Sequence, residues 1–131
     1  MRYLIDTQIF IWALINPEKL TESTKQILEN NEILVSQISL FEIAIKQKIG
    51  KLPELNLSID ELVEQIKRDN FTLLPLSTKH LAAYDKIQLV ENHRDPFDRL
   101  LLATALSEDM PIISTDGNFV YYVSQICLIK N

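Results

Sequence analysis

The sequence predicts an α/β protein in which helices cover both faces of a parallel sheet. Three observations carry this reading. Short runs such as the continuous apolar Ile33-Leu34-Val35, and Ile112-Ile113 ending at Ser114, have the pattern of strands buried on both sides. These runs alternate with segments that open on helix-capping residues, and strands alternating with helices imply parallel β-α-β units. Apolar residues make up 47% of the chain against 24% charged, which supplies a sizeable core and argues against disorder.

The elements follow in order. Arg2 to Asp6 is a short β-prone run, and Thr7 starts a helix through about Leu14 that Asn16-Pro17 breaks. A second helix runs from Thr21 or Glu22 to Glu29, with Ile27 and Leu28 inward and Asn30-Asn31 as its stop. The strand Ile33 to Val35 ends at Ser36. Ser39, with Glu42 three positions on, is a capping-box signature that opens a helix ending near Gly50. After the loop Lys51 to Asn56, Ser58 and Glu61 repeat that signature for a helix to about Asp69. Phe71 to Pro75 reads as a strand, and Ser77 or Thr78 opens a helix through Leu89. Val90 to Arg94 is a polar loop. Asp95-Pro96 pairs an N-cap with proline at the first helical position, starting a helix to Glu108 or Asp109. Ile112 to Ser114 is another buried strand, and Ile126 to Ile129 an edge strand.

With 131 residues, two glycines and no linker or internal repeat, residues 1–131 are expected to form one domain. A formal net charge of −5 argues against non-specific nucleic-acid binding through overall charge, though not against a local basic groove. The single cysteine, Cys127, rules out an internal disulfide or a zinc ribbon and is expected to be a small buried hydrophobe. The uncharged run Ile9 to Ile15 is too short to span a bilayer, and the residues before it do not read as a signal peptide. The expectation is a cytoplasmic protein with no membrane contact.

Four acids fall together in this scheme. Asp6 ends the first strand, Asp116 follows the strand Ile112 to Ser114, and Glu42 and Asp98 lie in the first turns of their helices. Helices feeding parallel strands run antiparallel to them, so all four acids are placed at the carboxyl edge of the sheet, where such folds bind ligands. Each also has a local structural reading. Asp6 can cap its helix, Glu42 can complete the box with Ser39, Asp98 can offset the helix dipole, and Asp116-Gly117 is a common turn pair. Convergent carboxylates repel one another unless a cation joins them, and all-oxygen ligands suit Mg²⁺ or Mn²⁺. Two such ions would offset four of the five excess negative charges and make the chain compatible with a polyanion.

Met1-Arg2-Tyr3-Leu4-Ile5-Asp6-Thr7, Ser39-Leu40-Phe41-Glu42-Ile43, His93-Arg94-Asp95-Pro96-Phe97-Asp98-Arg99-Leu100-Leu101-Leu102-Ala103-Thr104-Ala105 and Ser114-Thr115-Asp116 resemble the PIN-domain nucleases. The likeness is closest to VapC-type ribonuclease toxins of bacterial toxin–antitoxin pairs and covers essentially the whole chain. It implies a three-layer α/β/α domain with a five-stranded parallel sheet and a Mg²⁺- or Mn²⁺-dependent ribonuclease site. The family's acidic set matches Asp6, Glu42, Asp98 and Asp116. Two departures are visible: Gln8 stands where many relatives have histidine, and Gly117 where many carry a side chain. The resemblance also implies an RNA substrate, a cognate antitoxin whose segment blocks the acidic site, and a homodimer.

The mechanism this implies is hydrolysis of an RNA phosphodiester by metal-activated water. Asp6 and Asp98 would be the main ligands, with Asp116 completing the site directly or through water. Glu42 would hold a second ion or orient the attacking water. Thr7 and Ser114 are candidates to supply hydroxyls to an acid or a water, with capping and strand-end bonding as the local alternative. Arg94 and Arg99 are candidate phosphate contacts, with exposed salt bridges as the alternative. Lys46 is expected to pair with Glu42, and Lys46, Lys48 and Lys51 lie on and after one helix. His93 is assigned to a loop, without a role as general base. Rival readings are a catalytically silent PIN-fold module that binds RNA or protein, and an aspartyl-nucleophile phosphatase, whose usual second acid is replaced here by Gln8.

Overall fold

The computed structural model describes Met1–Asn131 and shows a three-layer α/β/α fold around a five-stranded, wholly parallel sheet. Its elements are β1 (Arg2–Ile5), α1 (Thr7–Ile15), α2 (Glu22–Asn30), β2 (Glu32–Ser36), α3 (Gln37–Lys48), α4 (Ile59–Arg68), β3 (Thr72–Leu74), α5 (Thr78–Ala83), α6 (Pro96–Glu108), β4 (Ile112–Ser114) and β5 (Leu128–Lys130). Short 3₁₀ segments at Pro17–Lys19, Tyr84–Lys86 and Gly117–Tyr122 complete the chain. No helix is long and apolar enough to cross a membrane.

The strands lie in the order β3-β2-β1-β4-β5. The chain steps outward from β1 through β2 to β3, then crosses back to place β4 on the other side of β1. That reversal makes the carboxyl ends of β1 and β4 the topological switch point, where a crevice opens in sheets of this kind.

Strand side chains alternate between the two faces. Leu4, Leu34 and Ile112 pack with Leu101, Leu102, Phe119 and Tyr122 on one side. Ile5, Ile33, Val35 and Ile113 pack with Ile9, Phe10, Ile43, Leu62 and Ile66 on the other. Both faces are covered, so the strands read as continuous apolar runs rather than as polar alternations.

Most helix starts lie where their capping residues stand. Thr21 accepts from the Thr24 N–H at 3.1 Å, and Ser58 and Glu61 form a reciprocal box with bonds of 3.1 and 3.0 Å. Asp95 accepts from Phe97 at 2.8 Å, with Pro96 opening α6.

Four expectations are corrected. The helix assigned to a Ser39–Glu42 box begins earlier: Ser36, ending β2, caps α3 through the Ile38 N–H at 3.1 Å. Ser39 is thereby drawn into the first turn and Glu42 into the second. The helix expected to continue to Leu89 stops at Ala83 and a 3₁₀ turn over Tyr84–Lys86; Ile87 is already extended, and the Ile87 and Gln88 carbonyls accept from the Arg99 guanidinium. The last strand begins two residues later than Ile126, whose N–H bonds to Tyr122 O while the side chain packs into the core. Cys127 is exposed; its carbonyl accepts from Ile112 at the mouth of the β4–β5 ladder.

Candidate active site: an acidic cleft at the switch point

Asp6 follows directly on β1. Its N–H donates to Ile113 O at 3.1 Å, which holds it against the end of β4. Both carboxylate oxygens are engaged: one caps α1 through the Ile9 N–H at 2.8 Å, the other accepts from Ser114 Oγ at 2.5 Å. Capping and membership of an acidic site coexist in this residue. Ser114 Oγ in turn accepts from the Asp116 N–H at 3.0 Å, and Asp116 accepts from the Asn118 N–H at 2.8 Å. One serine therefore sets the spacing of two acids.

Asp98 is the third residue of α6. Because Asp95 already caps that helix, the Asp98 carboxylate is left to face inward, where Oδ2 meets His93 Nε2 at 2.9 Å. Glu42 on α3 faces Thr7 on α1, with Thr7 Oγ1 2.8 Å from Oε1 and 2.9 Å from Ser39 Oγ. A threonine hydroxyl has one proton, and a carboxylate can only accept it. Thr7 therefore donates to Glu42 and accepts from Ser39. Lys46, one turn on, closes an ion pair with Glu42 Oε2 at 3.0 Å.

Asp6, Glu42, Asp98 and Asp116 line a single cleft of about 400 Å³, together with Asp95, Thr7, Gln8 and Lys46. Burial pushes the Asp6 carboxyl up to about 7; bonds from Ser114 and Ile9 oppose the rise, and repulsion from Asp98 and Asp116 adds to it. Burial likewise raises Asp98 to about 6, opposed by the bond from His93 and reinforced by Asp95 and Asp116. A folded site that buries neighbouring carboxylates until they resist ionising has the electrostatics of a cation site. Lys46 is the one lysine or arginine paired in the cleft, and it is bound to Glu42. The ligand atoms that Asp6, Asp98 and Asp116 themselves offer are hard carboxylate oxygens, which fit Mg²⁺ or Mn²⁺. One ring nitrogen of His93 and one oxygen each of Asp98 and Asp116 lie within 4.8 Å of one another.

Other candidates lie elsewhere. Arg94 is exposed and bonds Glu91 O at 3.4 Å, outside the cleft. Arg99 is not a surface phosphate contact: it is buried, with its guanidinium on Tyr84 Oη, Gln88 O, Tyr122 Oη and Ile87 O. The apolar stretch around it turns the residue inward. Lys48 and Lys51 are exposed and do not line the cleft.

Sequence reasoning missed His93 as a site residue. It is buried beneath the cleft, between Tyr122 Oη at 2.8 Å and Asp98. Its place five residues before Asp98, in the same motif, was the available signal.

The PIN domain family model matches residues 3–123, and the chain belongs to that family. A search of curated proteins finds no match. Among solved structures, the fold is similar to DNA-bound VapBC from Salmonella typhimurium, at 14% identity and TM-score 0.72 over 99% of this chain and 98% of that one. VapBC2 from Rickettsia felis, bound to a promoter DNA fragment, matches at 18% identity and TM-score 0.69 with the same coverage. VapBC-5 from Mycobacterium tuberculosis, described as a member of the VapBC family of toxin-antitoxin systems, matches at 13% and 0.57 over 98% and 96%.

Proposed function

We propose that this protein is a Mg²⁺- or Mn²⁺-dependent endoribonuclease of the VapC type, the toxin of a toxin–antitoxin pair. The observation that carries the reading is the crowding of Asp6, Asp98 and Asp116 around one cleft at the switch point, with no lysine or arginine paired to any of them. Family membership and the likeness to VapBC structures support it.

Asp6, Asp98 and Asp116 would hold the ion, with Ser114 spacing the first and last of them. When bound, a divalent ion neutralises phosphate charge and acidifies water. Glu42, polarised by Thr7 on one oxygen and Lys46 on the other, orients a water toward phosphorus. The water oxygen bonds to phosphorus, one P–O ester bond of the RNA breaks, and the proton shed by the water balances the one taken up by the departing oxygen. Lys46, about two-fifths exposed at the cleft, offers its charge to a neighbouring phosphate. Residues 1–131 act as one unit in the cytoplasm, as a homodimer, with a cognate antitoxin occluding the cleft until it is removed.

The test is cleavage mapping on total RNA with and without EDTA. Discrete, EDTA-sensitive cuts that vanish in Asp6→Asn and Asp98→Asn are expected. Full activity in both variants, in preparations free of contaminating ribonuclease, would reject the site.

A further inference from the structure

We propose that His93 is a positioning residue for Asp98: a buried relay from Arg99 through Tyr122 holds the ring so that Nε2–H clamps the carboxylate from behind. The inference rests on the metal-site reading above and deepens it.

Proton inventory carries the case. Tyr122 is fully buried, and its hydroxyl lies 3.3 Å from Arg99 Nη1 and 2.8 Å from His93 Nδ1. Arginine has no acceptor, so the guanidinium donates to the phenol oxygen. The single phenolic proton then has one acceptor, His93 Nδ1. A nitrogen that accepts carries no hydrogen, so the ring N–H lies on Nε2. Nε2 is 2.9 Å from Asp98 Oδ2 and donates to it. Polarity runs one way, from guanidinium to phenol to imidazole to carboxylate.

The short distances among His93, Asp98 and Asp116 invite a direct ligand role for the imidazole. The same inventory opposes it, because a protonated nitrogen has no lone pair for a cation. Instead one oxygen of Asp98 is fixed by His93 and the other is left free for the ion.

The relay is anchored on both sides. Arg99 also binds the carbonyls of Ile87 and Gln88, which enter the loop that carries His93. The rings of Tyr122 and Phe119 lie 5.5 and 6.2 Å from the imidazole. This arrangement accounts for an arginine buried beside an acidic cleft that it never enters. It joins α6, the loop before it and the 3₁₀ segment after β4 at one carboxylate.

Two measurements on the full chain test the proposal. Long-range ¹H–¹⁵N correlation on metal-free protein at pH 8 should show His93 as the Nε2–H tautomer with Nδ1 accepting a bond. A proton on Nδ1 overturns the relay. Mn²⁺ titration should then show Tyr122→Phe and His93→Ala binding about 10-fold more weakly than wild type, at the lower end of the 10–100-fold range for residues that support metal ligands. His93→Gln, whose amide can replace the Nε2–H donor, should stay within about 3-fold. Equal losses in His93→Gln and His93→Ala overturn the clamp, as does wild-type affinity in Tyr122→Phe, which keeps the ring even if His93→Ala misfolds. Asp98→Asn separates the two readings: if it binds Mn²⁺ like wild type, the metal site itself fails. If it loses the ion while Tyr122→Phe and His93→Ala do not, only the clamp fails.

Discussion

The Ser114 hydroxyl donates to Asp6 and accepts from the backbone of Asp116, so one side chain joins the ends of β1 and β4 across the switch point. The bond holds a buried acid beside its like-charged neighbours in a geometry that neither strand imposes alone. Burial raises the Asp6 carboxyl to about 7, a rise that the Ser114 bond opposes.

That shift has a sign in stability. With a folded value above the unfolded one, the folded chain holds more protons than the unfolded chain between roughly pH 4 and 7. The contribution is fully present below pH 4 and is lost as pH rises through 7. Thermal melts in EDTA should show Asp6→Asn gaining about 5–10 °C on wild type at pH 7.5 and little at pH 4. The amide keeps the cap on Ile9 and sheds the charge. Asp98, raised to about 6, should behave alike over pH 4 to 6. A parallel pair of pH profiles would contradict the assigned shift.

Mn²⁺ must displace the protons that these acids retain. Calorimetric titrations at pH 6.5 in buffers of different ionisation enthalpy should show net proton release on binding, smaller at pH 8.5. Proton uptake at pH 6.5 would be the wrong sign.

Thr7→Val removes the hydroxyl that joins Ser39 to Glu42 without changing the shape of the side chain. It should cost about 1–3 kcal/mol in urea unfolding, because buried polar groups lose their partner. RNA cleavage should fall by roughly 10-fold while Mn²⁺ affinity holds within about 3-fold, as Glu42 keeps its contact with Lys46 but loses one restraint. Unchanged cleavage would remove Glu42 orientation from the mechanism.

The two arginines of the motif should separate cleanly. Arg99→Met leaves two carbonyls and two phenol oxygens without their donor and should destabilise the fold by about 3 kcal/mol or more. Arg94→Ala, on an exposed side chain with one long bond, should stay within about 0.5 kcal/mol. Equilibrium denaturation of both variants checks the contrast.

Cys127 should react with an aromatic disulfide reagent in the native state, at a rate little changed by moderate urea. A thiol released only on unfolding would contradict its exposure.

The sheet was legible because its signals are local. Strand runs at Ile33–Val35 and Ile112–Ser114, the Ser58–Glu61 box and the Asp95-Pro96 start each act within a few residues, and each lies where its pattern put it. The convergence of four acids followed from strand and helix direction together, since parallel β-α-β units send every strand's carboxyl end and every helix's N-terminus to one edge. Where local signals competed, one was misread: Ser36 and Ser39 are both good caps, and only the end of β2 decides between them. Likewise Ile126 and Cys127 fit a strand by composition, but pairing with β4 begins at Leu128.

By itself, then, the sequence determined the layers, the edge and the acids, because periodicity, capping and strand polarity are properties of adjacent residues. Tertiary structure alone decided which side of Asp98 is held and by what. His93, Tyr122 and Arg99 come from a loop, a 3₁₀ segment and a helix, and their roles depend on where single protons go once water is excluded. Burial of Arg99 was likewise hidden, since a charged side chain enters a core only when scattered carbonyls and hydroxyls meet it there.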